Sequence, residues 1–213
     1  MQIKLQNTIV ELLPEKALFL PATNTLVIAD LHLGKAMHFR KSGIAVPAVS
    51  AQKDYLVLHS LIAKKQPSHI IITGDLFHSK HNSEWNLFCD FVNANPSIDF
   101  TLVIGNHDIL DRSHYEKLCI NVVEDTMELQ AFIFSHEPLK EIPRGKINVA
   151  GHIHPGFSLY GKGRQRLKLP CFYVLPQLLI LPAFGSLTGL YLLEKEKDAE
   201  VYVIASNKVI HIS

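Results

Sequence analysis

The sequence predicts an α/β fold in which two mixed β-sheets pack face to face and helices flank them. Three observations lead there. The first half alternates apolar, β-branched runs with helical patterns. The second half carries only short strand-like runs, and motifs bearing Asp and His fall at the ends of the early runs. Alternating strand and helix implies a parallel-rich sheet covered by helices, and a succession of strands needs a second sheet to bury against. At 213 residues, with no repeat, low-complexity run or evident linker, one domain over residues 1–213 is expected.

The early strands are read at 25–29, 69–73, 100–104, 132–135 and 147–150. Each is compactly apolar rather than alternating, which suits a strand buried on both faces. Helices are read at 49–65, where Leu56, Leu61 and Ile62 stand among polar positions, and at 83–93, where Trp85, Phe88 and Val92 recur every three to four residues. Ser50 and Ser83 are the candidate caps. Later strands are read at 157–160, 171–175, 178–181, 190–193, 201–204 and 209–212, as a β-meander with turns at Gly161-Lys162-Gly163 and Ser206-Asn207.

A composition of 47% hydrophobic and 19% charged residues with a net charge of +1 excludes a bulk polycation, so any nucleic-acid contact must come from a local patch. Cys89, Cys119 and Cys171 are odd in number and far apart. They predict no disulfide framework, a cytoplasmic location, and buried apolar roles for the thiols. The first residues lack the pattern of a secretory leader. The most apolar stretch, 167–184, is broken by Pro170, Pro176 and Pro182, so no membrane helix is expected.

The chemistry lies in five pieces taken in order: Asp30-Leu31-His32, Gly74-Asp75, Gly105-Asn106-His107-Asp108, Ser135-His136 and Gly151-His152-Ile153-His154. They offer enough oxygen and nitrogen donors for two divalent cations and leave one histidine for proton transfer. Each piece follows a predicted strand, and loops at the carboxyl ends of several strands can meet in one crevice. Two divalent ions about 3.5 Å apart repel by roughly 19 kcal/mol at an effective dielectric of ~20. A shared carboxylate offsets that repulsion, and Asp75 is the natural bridge, with Gly74 giving the backbone room to turn.

This order of motifs resembles the calcineurin-like metallophosphoesterase superfamily. The resemblance implies an αββα sandwich in which Asp30, His32 and His154 hold one ion, Asn106, His136 and His152 the other, and Asp75 both. It implies a bridging hydroxide as nucleophile, His107 as general acid, and Asp108 as the residue that orients its ring. The cofactor expected is a pair of divalent ions, most simply Mn2+, with Fe or Zn also suited to mixed N/O ligation. His78, three residues after Asp75, is expected beside the ligands or lining the substrate cleft. The remaining histidines (His38, His59, His69, His81, His114 and His211) are expected to be ordinary surface or packed residues.

Segments outside the metal motifs are similar to one subgroup, the ligase-associated DNA damage response endonucleases called PdeM. They include Leu33-Gly34-Lys35, Phe39-Arg40, Leu169-Pro170-Cys171-Phe172 and Pro182-Ala183-Phe184-Gly185-Ser186-Leu187-Thr188-Gly189. This likeness implies a phosphodiesterase acting on nucleic acid or nucleotide, bacterial genes beside a DNA ligase and a helicase as repair partners, and no membrane partner. Arg40, Arg164 and Arg166 are the expected phosphate contacts. Phe184-Gly185-Ser186 reads equally as a loop over the crevice or as a buried turn, and exposed late strands could pair two subunits in a homodimer. The competing functions are a phosphomonoesterase or pyrophosphatase of the same fold, and a non-catalytic metal-binding scaffold. The protein-phosphatase branch typically follows Gly-Asp with an arginine, where residues 76–80 here read Leu-Phe-His-Ser-Lys. The intact His107 argues against the scaffold.

Overall fold

The computed structural model describes residues 1–35, 49–77 and 83–212; within them, the side chains of residues 49–52, 83 and 164 are not described. Strands β1 (Gln2–Leu5), β2 (Thr8–Leu13), β3 (Ala17–Leu20), β4 (Thr25–Ile28), β5 (His69–Thr73), β6 (Asp99–Val103) and β7 (Asn121–Val123) form a seven-stranded sheet in chain order. The first four are antiparallel neighbours, and β4 to β7 run parallel. The second, nine-stranded sheet comprises β8 (Thr126–Leu129), β9 (Phe132–Ser135), β10 (Ile147–Ala150), β11 (Pro155–Tyr160), β12 (Arg166–Leu175), β13 (Leu178–Ile180), β14 (Tyr191–Leu192), β15 (Glu200–Ala205) and β16 (Lys208–Ile212). Its centre is parallel where β10 lies between β9 and β13, the edge pair β11–β14 is parallel too, and the remaining pairs are antiparallel. The two mixed sheets are those expected.

Strand parity builds two cores from one sheet. Successive side chains point to opposite faces. Thus Leu26, Ile28, Ile70 and Ile72 pack under the helices, while Val27, Ala29 and Ile71 face Phe134, Val149 and Phe172 of the second sheet. Both faces are covered, which is why these strands carry no polar alternation. Helix α1 (Val49–Lys65) and helix α2 (Ser83–Asn93) supply that cover, with α3 (Arg112–Glu116) beside β7. Helix α2 buries Trp85, Phe88 and Val92 as the spacing predicts. Helix α1 differs from expectation: Leu58 and Leu61 are buried, and Leu56 is 66% exposed. Leu56 and Leu58 lie about 200° apart around a helix of 3.6 residues per turn, so one face cannot hold both. The candidate caps Ser50 and Ser83 have side chains outside the description.

Three N-terminal strands, β7, β8 and α3 were not read from the sequence, and β12 is longer than expected. It runs from Arg166 through Pro170, which pairs with Gly156 of β11; from Cys171 onward it turns to β13 and β15. A proline that lacks a ladder donor is tolerated where a strand changes partner. All three cysteines are free, but Cys119 is exposed rather than buried, in the turn after α3 at φ 56. No described helix is long and apolar enough to cross a membrane.

One buried polar side chain locks the second sheet beneath the site. The amide nitrogen of Asn148, fully buried, donates to the Ile133 carbonyl at 2.9 Å and Ser135 Oγ at 2.8 Å, and its oxygen accepts from Leu139 N at 2.9 Å. It thereby joins β9, β10 and the loop that follows His136. Asn148→Ala would leave those buried partners unsatisfied, at a cost of about 3 kcal/mol. The expected result is a melting temperature lower by about 6–12 °C, read by calorimetry.

Candidate metal centre

The ligand-bearing loops leave the carboxyl ends of β4, β5, β6, β9 and β10, as predicted. Two of them run side by side: Asp30 N donates to Gly74 O at 3.2 Å, His32 N to Asp75 O at 2.9 Å and Leu33 N to Leu76 O at 2.8 Å. Five predicted ligands sit at left-handed backbone: Asp30 (φ 54), His32 (φ 49), Asp75 (φ 51), His152 (φ 65) and His154 (φ 51). Such conformations cost on the order of 1–3 kcal/mol each away from glycine and persist where the surroundings over-determine them. They break the alternation of a strand, so His152 and His154 turn toward one place.

Asp30, His32 and His154 form one group with ligand atoms mutually within 4.8 Å, and Asp30, Asp75 and His136 form a second. Nε2 of His32 and Nε2 of His154 are 3.3 Å apart, and the latter is 3.5 Å from Asp30 Oδ1. On the other side, Nε2 of His136 is 2.9 Å from Asn106 Oδ1 and 3.0 Å from His152 Nδ1. Asp75 lies between the groups: Oδ2 is 3.6 Å from His32 Nε2, and Oδ1 is 3.5 Å from His136 Nε2. Asp30 also accepts the His152 N–H at 3.0 Å, which ties the first loop to the last.

The donor chemistry fits divalent cations. His136 Nδ1 faces the Thr73 carbonyl at 3.1 Å, so that nitrogen carries the proton and Nε2 presents a lone pair. Its neighbour, Asn106 Oδ1, is also an acceptor, and a divalent cation between them would satisfy both at once. The carboxylates of Asp30 and Asp75 are buried, and among the described residues their ion-pair partners are histidines alone. Buried anions are costly without compensating positive charge. The half-buried Lys35 feels both carboxylates, but burial outweighs them and lowers its ammonium pKa.

His107 stands at the edge of this cluster. Its backbone N–H bonds Asp75 Oδ1 at 2.9 Å, and its ring meets that of His32 edge-on at 5.4 Å between centroids. It is only partly buried, which leaves a way in for a substrate. Asp108 was expected to orient that ring. Its carboxylate also holds main chain: Oδ2 accepts from Gly105 N at 2.9 Å and Oδ1 from Phe77 N at 3.1 Å. Burial pushes its carboxyl up to about 6 despite those two N–H bonds. The carboxylate therefore pins the loop carrying Asn106 and His107 onto the loop after β5. Gly105 sits so close that a Cβ would fall 2.3 Å from both Asp75 N and Oδ1.

The structure brings together Asp30, His32, Asp75, Asn106, His136, His152 and His154, with His107 beside them. Arg40 and His78 lie outside the described residues, as does the side chain of Arg164. Arg166 is on the β11–β12 hairpin and makes no recorded contact with the ligand cluster. Phe184 proves to be in a buried turn, with Phe184 N and Gly185 N bonding the carbonyls of Ala29 and Asp30 at 2.8 and 3.1 Å. Sequence reasoning missed two supports. One is the Thr73 carbonyl, which any residue type could provide. The other is buried Glu84, whose carboxylate accepts Gly34 N at 2.5 Å and looked like an ordinary acidic residue in a helix's first turn.

Comparison with known proteins agrees with this geometry. The profile of the family described as Calcineurin-like phosphoesterase matches residues 23–185. The crystal structure of the Pseudomonas putida nuclease MPE superimposes with a TM-score of 0.82 at 27% identity, covering 100% of this chain and 99% of that one. YfcE, a phosphoesterase from E. coli, gives a TM-score of 0.48 at 12% identity, covering 88% of this chain and 97% of its own. No curated protein sequence matches. The neighbour from P. putida is consistent with the PdeM-like subgroup suggested by the Pro-Cys-Phe and Pro-Ala-Phe-Gly segments. A matched region that begins just before β4 and ends on the Gly185 that buttresses Asp30 spans the whole ligand set, and this chain belongs to the calcineurin-like phosphoesterase family of metal-dependent hydrolases.

Proposed function

We propose that this protein is a dinuclear-metal-dependent phosphodiesterase, a nuclease acting in bacterial DNA repair within the cytoplasm. One observation carries the reading: the two carboxylate oxygens of Asp75 face two different histidine groups, at 3.6 and 3.5 Å. Asp30, His32 and His154 would hold one ion, Asn106, His136 and His152 the other, and Asp75 both. Bound divalent ions supply Lewis-acid polarisation of a phosphoryl oxygen and bring the pKa of water toward neutrality. The chain supplies the rest. Its left-handed loops fix the donors before substrate arrives, and the Asp75–His107 backbone bond sets the height of the His107 ring. From there the protonated imidazole gives its proton to the leaving oxygen. The nuclease neighbour from P. putida supports a nucleic-acid diester over a small monoester.

The test compares diester and monoester chromogens in the presence of Mn2+, with His107→Ala alongside. The wild type is expected to favour the diester and to lose activity on chelation. His107→Ala is expected to keep its metal content while the rate drops by about 10²–10⁴. Loss of metal from that variant, or preference for the monoester, overturns the reading.

A further inference from the structure

Residues 142–193 contain no Asp or Glu, yet Arg144, Lys146, Lys162, Arg164, Arg166 and Lys168 all fall among them. The last four crowd the turn and second strand of the β11–β12 hairpin. That hairpin leaves the metal centre directly, because β11 begins at Pro155, the residue after His154.

Its two faces are chemically opposite. The antiparallel register sets Phe157 against Leu169, Ser158 against Lys168, Leu159 against Leu167 and Tyr160 against Arg166. Opposed residues share a face and faces alternate along the strand. Phe157, Leu159 and Leu169 accordingly pack onto the cluster around Cys171, Tyr173 and Val201. The other face carries Ser158, Tyr160, Arg166 and Lys168. There the Arg166 guanidinium lies over the Tyr160 ring, 5.5 Å from its centroid, and Arg166 Nε donates to Ser158 Oγ at 3.1 Å. Tyr160 is 75% exposed, and among the described residues no ion pair engages Arg166 or Lys168.

We infer that this outer face is a single-strand nucleic-acid arm, with Tyr160 and Arg166 as a stacking platform for a base and Lys168 and Lys162 as contacts for flanking phosphates. The inference rests on the diesterase reading above and adds which surface selects the substrate. Stacking on an exposed ring with an adjoining cationic face is how unpaired strands are held without sequence preference. A duplex hides its base faces and would engage only the charges. Six strand residues separate His154 from Tyr160, about 20 Å at ~3.3 Å per residue. A strand must span that distance to engage both the metal centre and the arm, so the arm should matter only for strands of several nucleotides or more.

The experiment uses the full chain, its Tyr160→Ala and Arg166→Ala variants and the double variant. Mn2+-dependent hydrolysis of bis(4-nitrophenyl) phosphate is measured beside fluorescence-anisotropy binding of a 20-base single strand, a 20-base-pair duplex and a dinucleotide. The double variant should hydrolyse the chromogen at the wild-type rate. It should bind the 20-base strand about tenfold or more weakly, with a shallower salt dependence. Cleavage of that strand should show a raised KM at unchanged kcat, the dinucleotide should be unaffected, and Arg166→Lys should recover part of the loss. Single-strand binding within twofold of wild type in a folded double variant overturns the inference, as does an equal loss for strand and duplex. If the wild type cleaves no diester at all, the diesterase reading fails on its own, and the binding comparison still judges the arm.

Discussion

Asp75→Asn is expected to abolish Mn2+-dependent diester hydrolysis and to leave a folded protein. The carboxylate is buried and faces both histidine groups at once. Replacing one oxygen by an amide nitrogen puts a donor where a cation needs an acceptor. It also removes the negative charge that would offset a repulsion of roughly 19 kcal/mol between two divalent ions at ~3.5 Å. Without metal the change should be mild or stabilising, because a buried anion whose ion-pair partners among the described residues are histidines becomes neutral. The asparagine can still accept the His107 N–H. With metal the two proteins should part. At 100 times its dissociation constant a ligand stabilises the native state by about 2.7 kcal/mol. In a chain of this size that raises the melting temperature by about 5–11 °C. Wild type should show that rise on adding Mn2+, and Asp75→Asn should show little or none. Wild-type turnover by a preparation of the variant with verified metal content would refute the shared-ligand scheme.

Much of the fold could be read before the structure because its central strands are chemically plain. Residues 69–73, 132–135 and 147–150 are short apolar runs between polar or turn-forming neighbours, and each became a strand with the expected bounds. The N-terminal hairpins escaped because their strands are short and β1 and β2 are half exposed. The start of β12 escaped because Pro170 is rare inside a strand, while Arg166 to Leu169 alternate basic and apolar side chains as their pairing in the hairpin requires. The metal motifs were legible as residue types and order. Their meeting in one crevice was legible from their places at strand ends, but the aim of each side chain was not, since it depends on left-handed backbone at five non-glycine positions that no local sequence signal announces. Likewise, the Thr73 carbonyl that orients His136 is main chain and leaves no trace in composition. Asp108 carries a support that sequence does not announce: its carboxylate accepts the amides of Gly105 and Phe77.

The dependence of the ligands on their backbone leads to the second large effect. In Gly74→Ala the new Cβ would lie 2.1 Å from His136 Nδ1, 2.5 Å from its Cγ and 2.8 Å from its Cβ, at a φ of +83°. The His136 ring is buried and held by the Thr73 carbonyl at 3.1 Å, so it can yield only by swinging out of the site. That withdraws Nε2 from Asn106 and His152, and the three atoms nearest the new methyl group all belong to His136. The variant should lose one ion and keep the other, as metal analysis would show, and diester hydrolysis should fall by about 10²-fold or more. Backbone strain of about 1–3 kcal/mol should also lower the melting temperature by several degrees. Gly145→Ala separates the two causes. Gly145 has nearly the same φ, +82°, with nothing within 4 Å of the added Cβ. It should show the loss of stability with full activity and both ions. Equal loss of activity in the two variants would assign the effect to strain alone, and retention of both ions by Gly74→Ala would show that His136 does not hold the second one.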